Sequence, residues 1–270
     1  MVVWVLQDQT YILVSKHIET DKMKQKVFFL LVIFITNIVN GQNFNYQTDF
    51  KKLVEQSKDS KSDNYYKKLK SEFIENGENF SKEKVIALMA GQTASEFYNA
   101  YGMIDLERNY QNADKFPSDT IYKHSKDLLE IYPTNFSLNY GLWKTYEKDA
   151  DIVNAKKFER RFKLIAESIL STGNGTNEKP YFVISPIDGQ VLIKLYFRKT
   201  IGMMGSGRDK QGNFIDILDM VDGENSKTLN FVIDHSMKLF REELKENEGK
   251  EIENKYELDE NGKVILKTKE

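Results

Sequence analysis

Apolar side chains recur at three- and four-residue steps through the front of the chain, and in short runs behind a glycine-rich break at 173–175. The clearest stripe is Ala155, Phe158, Phe162, Ile165 and Ile169. Lys156, Lys157, Arg160, Arg161 and Lys163 take the other side, which predicts an amphipathic helix opening near Asp151 and closing before Gly173. Leu138, Leu142 and Tyr146 line a preceding helix, with Thr134 and Asn135 as its caps. Ile121, Leu128 and Tyr132 line the one before that, which starts at Ser118 and stops at Pro133 because proline cannot continue it. Further upstream the same period predicts helices bearing Phe50, Leu53 and Val54 after Thr48, and Tyr65, Tyr66, Leu69 and Phe73 after Ser62. A last one carries Val85, Leu88, Met89 and Gln92 after Ser81 and runs on towards Tyr98 despite Gly91.

Beyond the break the pattern changes. Residues 181–185 read as a buried strand, and 214–221 and 228–233 as two more, joined through the turn formers Asp222, Gly223, Glu224 and Asn225. Residues 186–198 fit either a helix, started by Ser185, Pro186 and Asp188, or a continuous strand. Gly202, Gly205, Gly207 and Gly212 predict a loop. Asp234 caps a final helix with Met237, Phe240 and Leu244, and a charged tail over 249–270 carries a hairpin about Asn261 and Gly262. The fold class is therefore α+β: a layer of helical hairpins over 42–172, then a small, mostly antiparallel sheet with one or two helices over 173–248. Pro133, Leu142, Tyr146 and Ala155 also stand where a tetratricopeptide repeat places its proline, leucine, tyrosine and small residue. Asn139, Trp143 and Phe162 depart from that pattern, so the expectation is paired helices packed in a repeat-like way.

The N-terminus adds a compartment. Residues 1–22 show no period and read as an upstream extension from start-site choice. Met23 then opens a leader: Lys24 and Lys26, an apolar run over 27–35, and Val39, Asn40 and Gly41 before Gln42, which is the tripartite pattern of a secretory signal peptide over 23–41. Thr36 and Asn37 interrupt the run, which is too short for a membrane span. Cleavage after Gly41 sends the mature chain to the periplasm or the medium with no stable transmembrane span. The chain has no cysteine, hence no disulfide framework and no thiolate metal site, and its formal charge of −2 argues against a nucleic-acid partner.

Chemistry is sparse in the sequence. Gly202, Gly205, Gly207 and Arg208 lack the spacing of a phosphate loop. Asp216, Asp219, Asp222 and Glu224 alternate faces on a strand and lack a calcium loop's glycine, so neither a metal nor a cofactor is expected. Catalytic candidates reduce to Asp216, Asp234 and His235, with Trp143 and Tyr146 as candidates for a binding surface.

The run from Asp49 and Phe50 through Tyr65 and Tyr66, the helix after Ser81, and the sequence Ile169, Leu170, Ser171, Thr172, Gly173, Asn174, Gly175 followed by Tyr181, Phe182, Val183 and Ile184 resembles the exported domain-of-unknown-function family 4919 of Bacteroidota. The resemblance extends from about residue 49 to about residue 234, and is loosest at Asp188, Gly189 and Gln190. It implies export and a shared layout, with no established activity to carry over. Two functions follow as expectations. One is an interaction module whose paired helices meet an envelope protein or a peptide. The other is an envelope enzyme, hydrolase-like, with a cleft between the helical and β-rich parts.

Overall fold

Residues 44–246, 256–258 and 264–266 are described by the computed structural model; the expected upstream extension, leader and cleavage point lie outside them. Asn45 begins the described chain by accepting the N–H groups of Gln47 and Thr48, which starts a π-helical turn over Tyr46–Phe50. Helices α1 (Lys51–Lys58), α2 (Tyr66–Asn76) and α3 (Lys82–Thr93) follow. Ser81 caps α3 as its type and position demand, its hydroxyl accepting Lys84 N–H at 3.3 Å. The stripe beyond α3 does not continue to Tyr98. A separate short helix, α4 (Ile104–Gln111), intervenes before α5 (Ser118–Ile131).

Helices α6 (Phe136–Lys148) and α7 (Ile152–Ser171) form the hairpin expected from the apolar periods. Asn135 Oδ1 accepts Leu138 N–H at 2.8 Å and Asp151 Oδ1 accepts Asn154 N–H at 3.0 Å, so both starts are capped as read. Ser118 is not a cap. It sits inside the first turn of α5, and its hydroxyl instead donates to Asp149 Oδ1 at 2.6 Å, beside Tyr122 on Oδ2 at 2.9 Å, which ties α5 to the α6–α7 turn.

Arg161 departs from the expected solvated face of α7. It is 1% exposed, its Nη2 donates to Phe73 O and Ile74 O at 2.7 and 2.8 Å, and Nε meets Glu78 Oε2 at 3.3 Å. At the end of α2 Phe73 O accepts the Gly77 N–H and takes Arg161 as a second donor, while the same guanidinium nitrogen also supplies Ile74 O. Arg160, Lys156 and Lys163 keep the solvent.

Gly141 sets how closely α6 approaches α4. A Cβ there would lie 2.7 Å from Tyr110 O and 2.8 Å from the Tyr110 ring. Alanine gains about 1 kcal/mol over glycine in helix propensity, but forcing atoms into a closed seam costs about 1–3 kcal/mol. Since the obstacle is backbone, the cost wins: Gly141→Ala is expected to lower the thermal midpoint, and a denaturation series that shows a rise would contradict the close approach.

Strands β1 (Tyr181–Phe182), β2 (Thr200–Arg208), β3 (Phe214–Asp222) and β4 (Asn225–Val232) make a sheet of order β1-β4-β3-β2. The β2–β3 and β3–β4 pairs are antiparallel, and β1 lies parallel to β4. Gly202, Gly205 and Gly207 of the expected loop lie in β2 instead, while Gly212, at φ 86°, does stand in the turn before β3. A Cβ at Gly202 would lie 3.0 Å from Val221 Cγ2 and one at Gly207 3.2 Å from Ile217 Cδ1, so glycine here permits close pairing. Gly223, at φ 62°, forms the two-residue turn between β3 and β4 that a tight hairpin requires. Residues 186–198 resolve as helix: α8 (Asp188–Val191) runs into a π-helical turn over Leu192–Tyr196. Helix α9 (Asp234–Glu246) follows β4, and β5 (Tyr256–Leu258) pairs antiparallel with β6 (Val264–Leu266), placing strands on both sides of the expected tail turn.

The α+β layout therefore holds, and one buried apolar cluster runs through both parts, from Leu69 and Phe73 on α2 to Phe231 and Ile233 at the end of β4. Among the described residues no helix is long and apolar enough to cross a membrane.

Candidate functional site

Helix α4 carries Met103 and Tyr110 on its buried face, and between them Glu107, which is 1% exposed. Asn135, while capping α6 with its oxygen, donates Nδ2 to Glu107 Oε1 at 2.6 Å. From the other side, Ser185 donates its hydroxyl to Glu107 Oε2 at 2.7 Å. Three residues on, Asp188 is 2% exposed and turns its Oδ2 back onto the N–H groups of Ile184 and Ser185 at 3.1 and 2.9 Å, which fixes the entry into α8. Asp188 Oδ1 is buried with no hydrogen-bond partner.

Both carboxyls line a void of about 10 Å³, together with Gln92, Tyr98, Tyr132 and Asn135, a space for about one water molecule. Around it, Thr134 donates to Gln92 Oε1 at 3.0 Å, Tyr98 donates to Ile184 O and meets Ser236 Oγ at 2.6 Å, and Tyr132 donates to Phe97 O. Burial, then the charge of Asp188, raises Glu107 to about 8 against the pull of Ser185 and Asn135. Burial likewise raises Asp188 to about 7 against its two backbone donors. Two carboxyl groups in such a place cannot both stay ionised, because a charge leaving water without a partner costs several kcal/mol.

The sequence candidates sit elsewhere. Asp216, on β3, accepts the Ser206 hydroxyl at 3.0 Å, and burial raises it to about 6 against that bond. Asp234 accepts Phe214 N–H at 3.0 Å on Oδ1 and Lys238 Nζ at 2.6 Å on Oδ2; burial would raise it, but these donors hold it below the usual carboxylate range. His235 pairs with Tyr46 and not with Asp234. Its Nδ1 meets Tyr46 Oη at 3.1 Å, while the Tyr46 oxygen accepts the His235 backbone N–H at 3.1 Å. Burial lowers the imidazole to about 3 despite Asp234, so it stays neutral. No hydrogen bond among the described residues links the Asp216, Asp234 and His235 side chains.

Trp143 and Tyr146 are half-buried in an aromatic seam. Trp143 stands edge-on to Tyr140 and tilted to Phe162, and Tyr146 stacks on Phe158 with ring centres 5.5 Å apart. A second concavity opens outside the core. A groove of about 420 Å³ runs between the end of α1, the start of α2 and the end of α5, with Tyr65, Tyr66 and Phe97 in its wall and Lys58, Lys67 and Glu96 among its polar residues. Among the described residues no group of three or more His, Asp or Glu side chains could hold a metal ion.

Sequence reasoning missed Glu107, Asn135, Ser185 and Asp188 as a unit. The available signal was a carboxylate at a core position, four residues after Met103 and three before Tyr110.

These elements define an α+β domain with a closed polar centre where α4 and α6 meet the segment between β1 and α8. Residues 51–240 match the family described as Domain of unknown function (DUF4919), and the chain belongs to that family. Comparison with curated proteins and with solved structures finds no match.

Proposed function

We propose that this chain is an exported protein- or peptide-interaction module, released by cleavage after Gly41, that takes an extended segment of an envelope protein in the groove beside Tyr65, Tyr66 and Phe97. The groove carries the reading. At about 420 Å³ it falls in the size range of binding clefts, whereas the void at Glu107 and Asp188 has room for only a water. Tyrosine and phenylalanine offer wide, stiff contact area, and Lys58 and Lys67, both exposed, add positive charge for an acidic residue in the bound segment. The Trp143–Tyr146 seam is a weaker surface for this purpose, since its rings already stack on α7. The hydrolase alternative would need Asp216, Asp234 and His235 to converge, and their hydrogen bonds lead apart.

A random peptide display library selected against the protein purified from its own cells should enrich segments that pair an acidic residue with an aromatic or aliphatic one. Anisotropy of a labelled consensus peptide should then weaken about tenfold or more in Lys58→Glu/Lys67→Glu, about 1.4 kcal/mol of lost attraction, with the thermal midpoint unchanged. Equal affinity in the charge-reversed protein would remove the groove from the reading. N-terminal sequencing of the envelope and medium fractions should return Gln42 as the first residue, and recovery of chain that retains Lys24 and Lys26 would count against export by cleavage.

A further inference from the structure

We propose that Glu107 and Asp188 share one proton at neutral pH and so form a proton-dependent latch that fastens α4 and α6 to the segment leading from β1 into α8. This device stands independently of the groove.

The geometry carries it. Glu107 is bonded to the cap of α6 through Asn135 and to Ser185 through its other oxygen, so one side chain bridges the helical layer and the segment under the sheet. Asp188 holds that segment's own turn through Ile184 and Ser185. With these donors placed, Asp188 Oδ1 still lacks one. Both carboxyls border the same water-sized void. A proton carried on Glu107 supplies the missing donor, either directly or through one water in that space, and halves the buried charge. A metal ion is a poorer occupant, because the Asn135 Oδ1 and Gln92 Oε1 oxygens already accept Leu138 N–H and the Thr134 hydroxyl.

No cation lining the void replaces the proton. The groups that face it are Gln92 from α3, Tyr98 from the α3–α4 connection, Tyr132 after α5, and Thr134 and Asn135 before α6. From α9 come Ser236, through Tyr98, and His235, which stays neutral. No lysine or arginine lines the void. Both pKa values lie above the ordinary carboxylate range, so the folded chain keeps a proton that the unfolded chain releases. The sign follows. Stability conferred by the latch is complete below the unfolded carboxylate pKa, declines as pH rises from roughly 4.5 towards 8, and is gone above that.

Full-length protein, Glu107→Gln and Asp188→Asn should be melted across that pH range. Asp188→Asn keeps the Oδ2 acceptor and offers an N–H where Oδ1 stood, and Glu107→Gln keeps one oxygen for Asn135 and turns its N–H to the Ser185 hydroxyl oxygen; neither carries a titrating proton, so each variant should hold its midpoint at high pH while the wild type falls by about 5 °C or more. Two further readouts separate a latch from a packing effect. Infrared spectra of the wild type at neutral pH should show a protonated carboxyl band that is lost in Glu107→Gln and shifted or weakened in Asp188→Asn. Amide exchange at Ile184 and Ser185, corrected for the intrinsic rate, should accelerate about tenfold per pH unit as the proton leaves, in the wild type only. A wild-type midpoint that tracks both variants at every pH, or a neutral-pH spectrum without that band, overturns the proposal. If one variant does not fold, the other carries the comparison, and failure of both amides to fold would itself show that a proton donor at this place cannot replace the pair.

Discussion

Arg161→Ala is expected to destabilise the protein by about 3–5 kcal/mol, because removing one member of a buried ionic and hydrogen-bonded set strands the others. Ile74 O loses its Arg161 donor, Phe73 O keeps only the Gly77 N–H, and Glu78, whose side chain is only 14% exposed, is left facing a hole. The guanidinium also lies 5.2 Å from the Phe73 ring centre and 5.3 Å from that of Phe158, so the truncation removes packing as well as charge. In a folded region of this size the loss amounts to a fall of roughly 6–20 °C in the thermal midpoint. Arg161→Lys should recover little, since an ammonium cannot span two carbonyls and a carboxylate with one fork. Chemical denaturation of the three proteins decides the matter: a lysine variant as stable as the wild type would show that charge alone, and not the fork, holds α2 to α7.

Arg161 also shows where sequence pattern stopped being informative. The stripe from Ala155 to Ile169 located α7 and its caps correctly, because burial of an apolar face dominates helix placement. Arg161 lies one position from Phe162, at the border of that stripe, and only the third dimension reveals that the end of α2 abuts it. The same limit hid the polar centre. Helix α4 is only eight residues long, and Glu107 was legible only as a charge on its apolar side. Its partners come from 28 and 78 residues away, distances over which a sequence period says nothing. The glycines of β2 misled for a different reason. Glycine-rich segments favour loops when nothing pairs with them, but β3 offered a ladder, and the missing side chains let β2 settle close under Val221 and Ile217. His235 was named with Asp216 and Asp234 as a catalytic candidate, while its actual contact, Tyr46, is 189 residues away.

Phe182→Ala should cost a comparable amount, about 3–5 kcal/mol, and it reports on that distant contact. Phe182 is fully buried in β1, its N–H donating to Thr172 Oγ1 at 2.8 Å, and four rings surround it: Phe44, Phe50 and His235 at 5.5 Å and Tyr46 at 6.0 Å between centres. Three of those rings belong to the first turn of the described chain, whose attachment also rests on the Tyr46 bonds to His235. With the central ring gone, the Phe44, Tyr46 and Phe50 rings lose the side chain they share, so the first turn is expected to loosen. Two measurements follow. Limited proteolysis should cut near residues 44–50 in the variant before the remainder of the domain is attacked. The His235 imidazole, held at about 3 by burial, should titrate closer to its ordinary value once water reaches the ring. Because a histidine with a lowered pKa withholds a proton that the unfolded chain binds, the wild type loses stability as pH falls through the range from about 6.5 to 3, and the variant should lose less of it over that interval. Ring-proton titration of His235 that is the same in both proteins would mean the first turn is held by something other than Phe182.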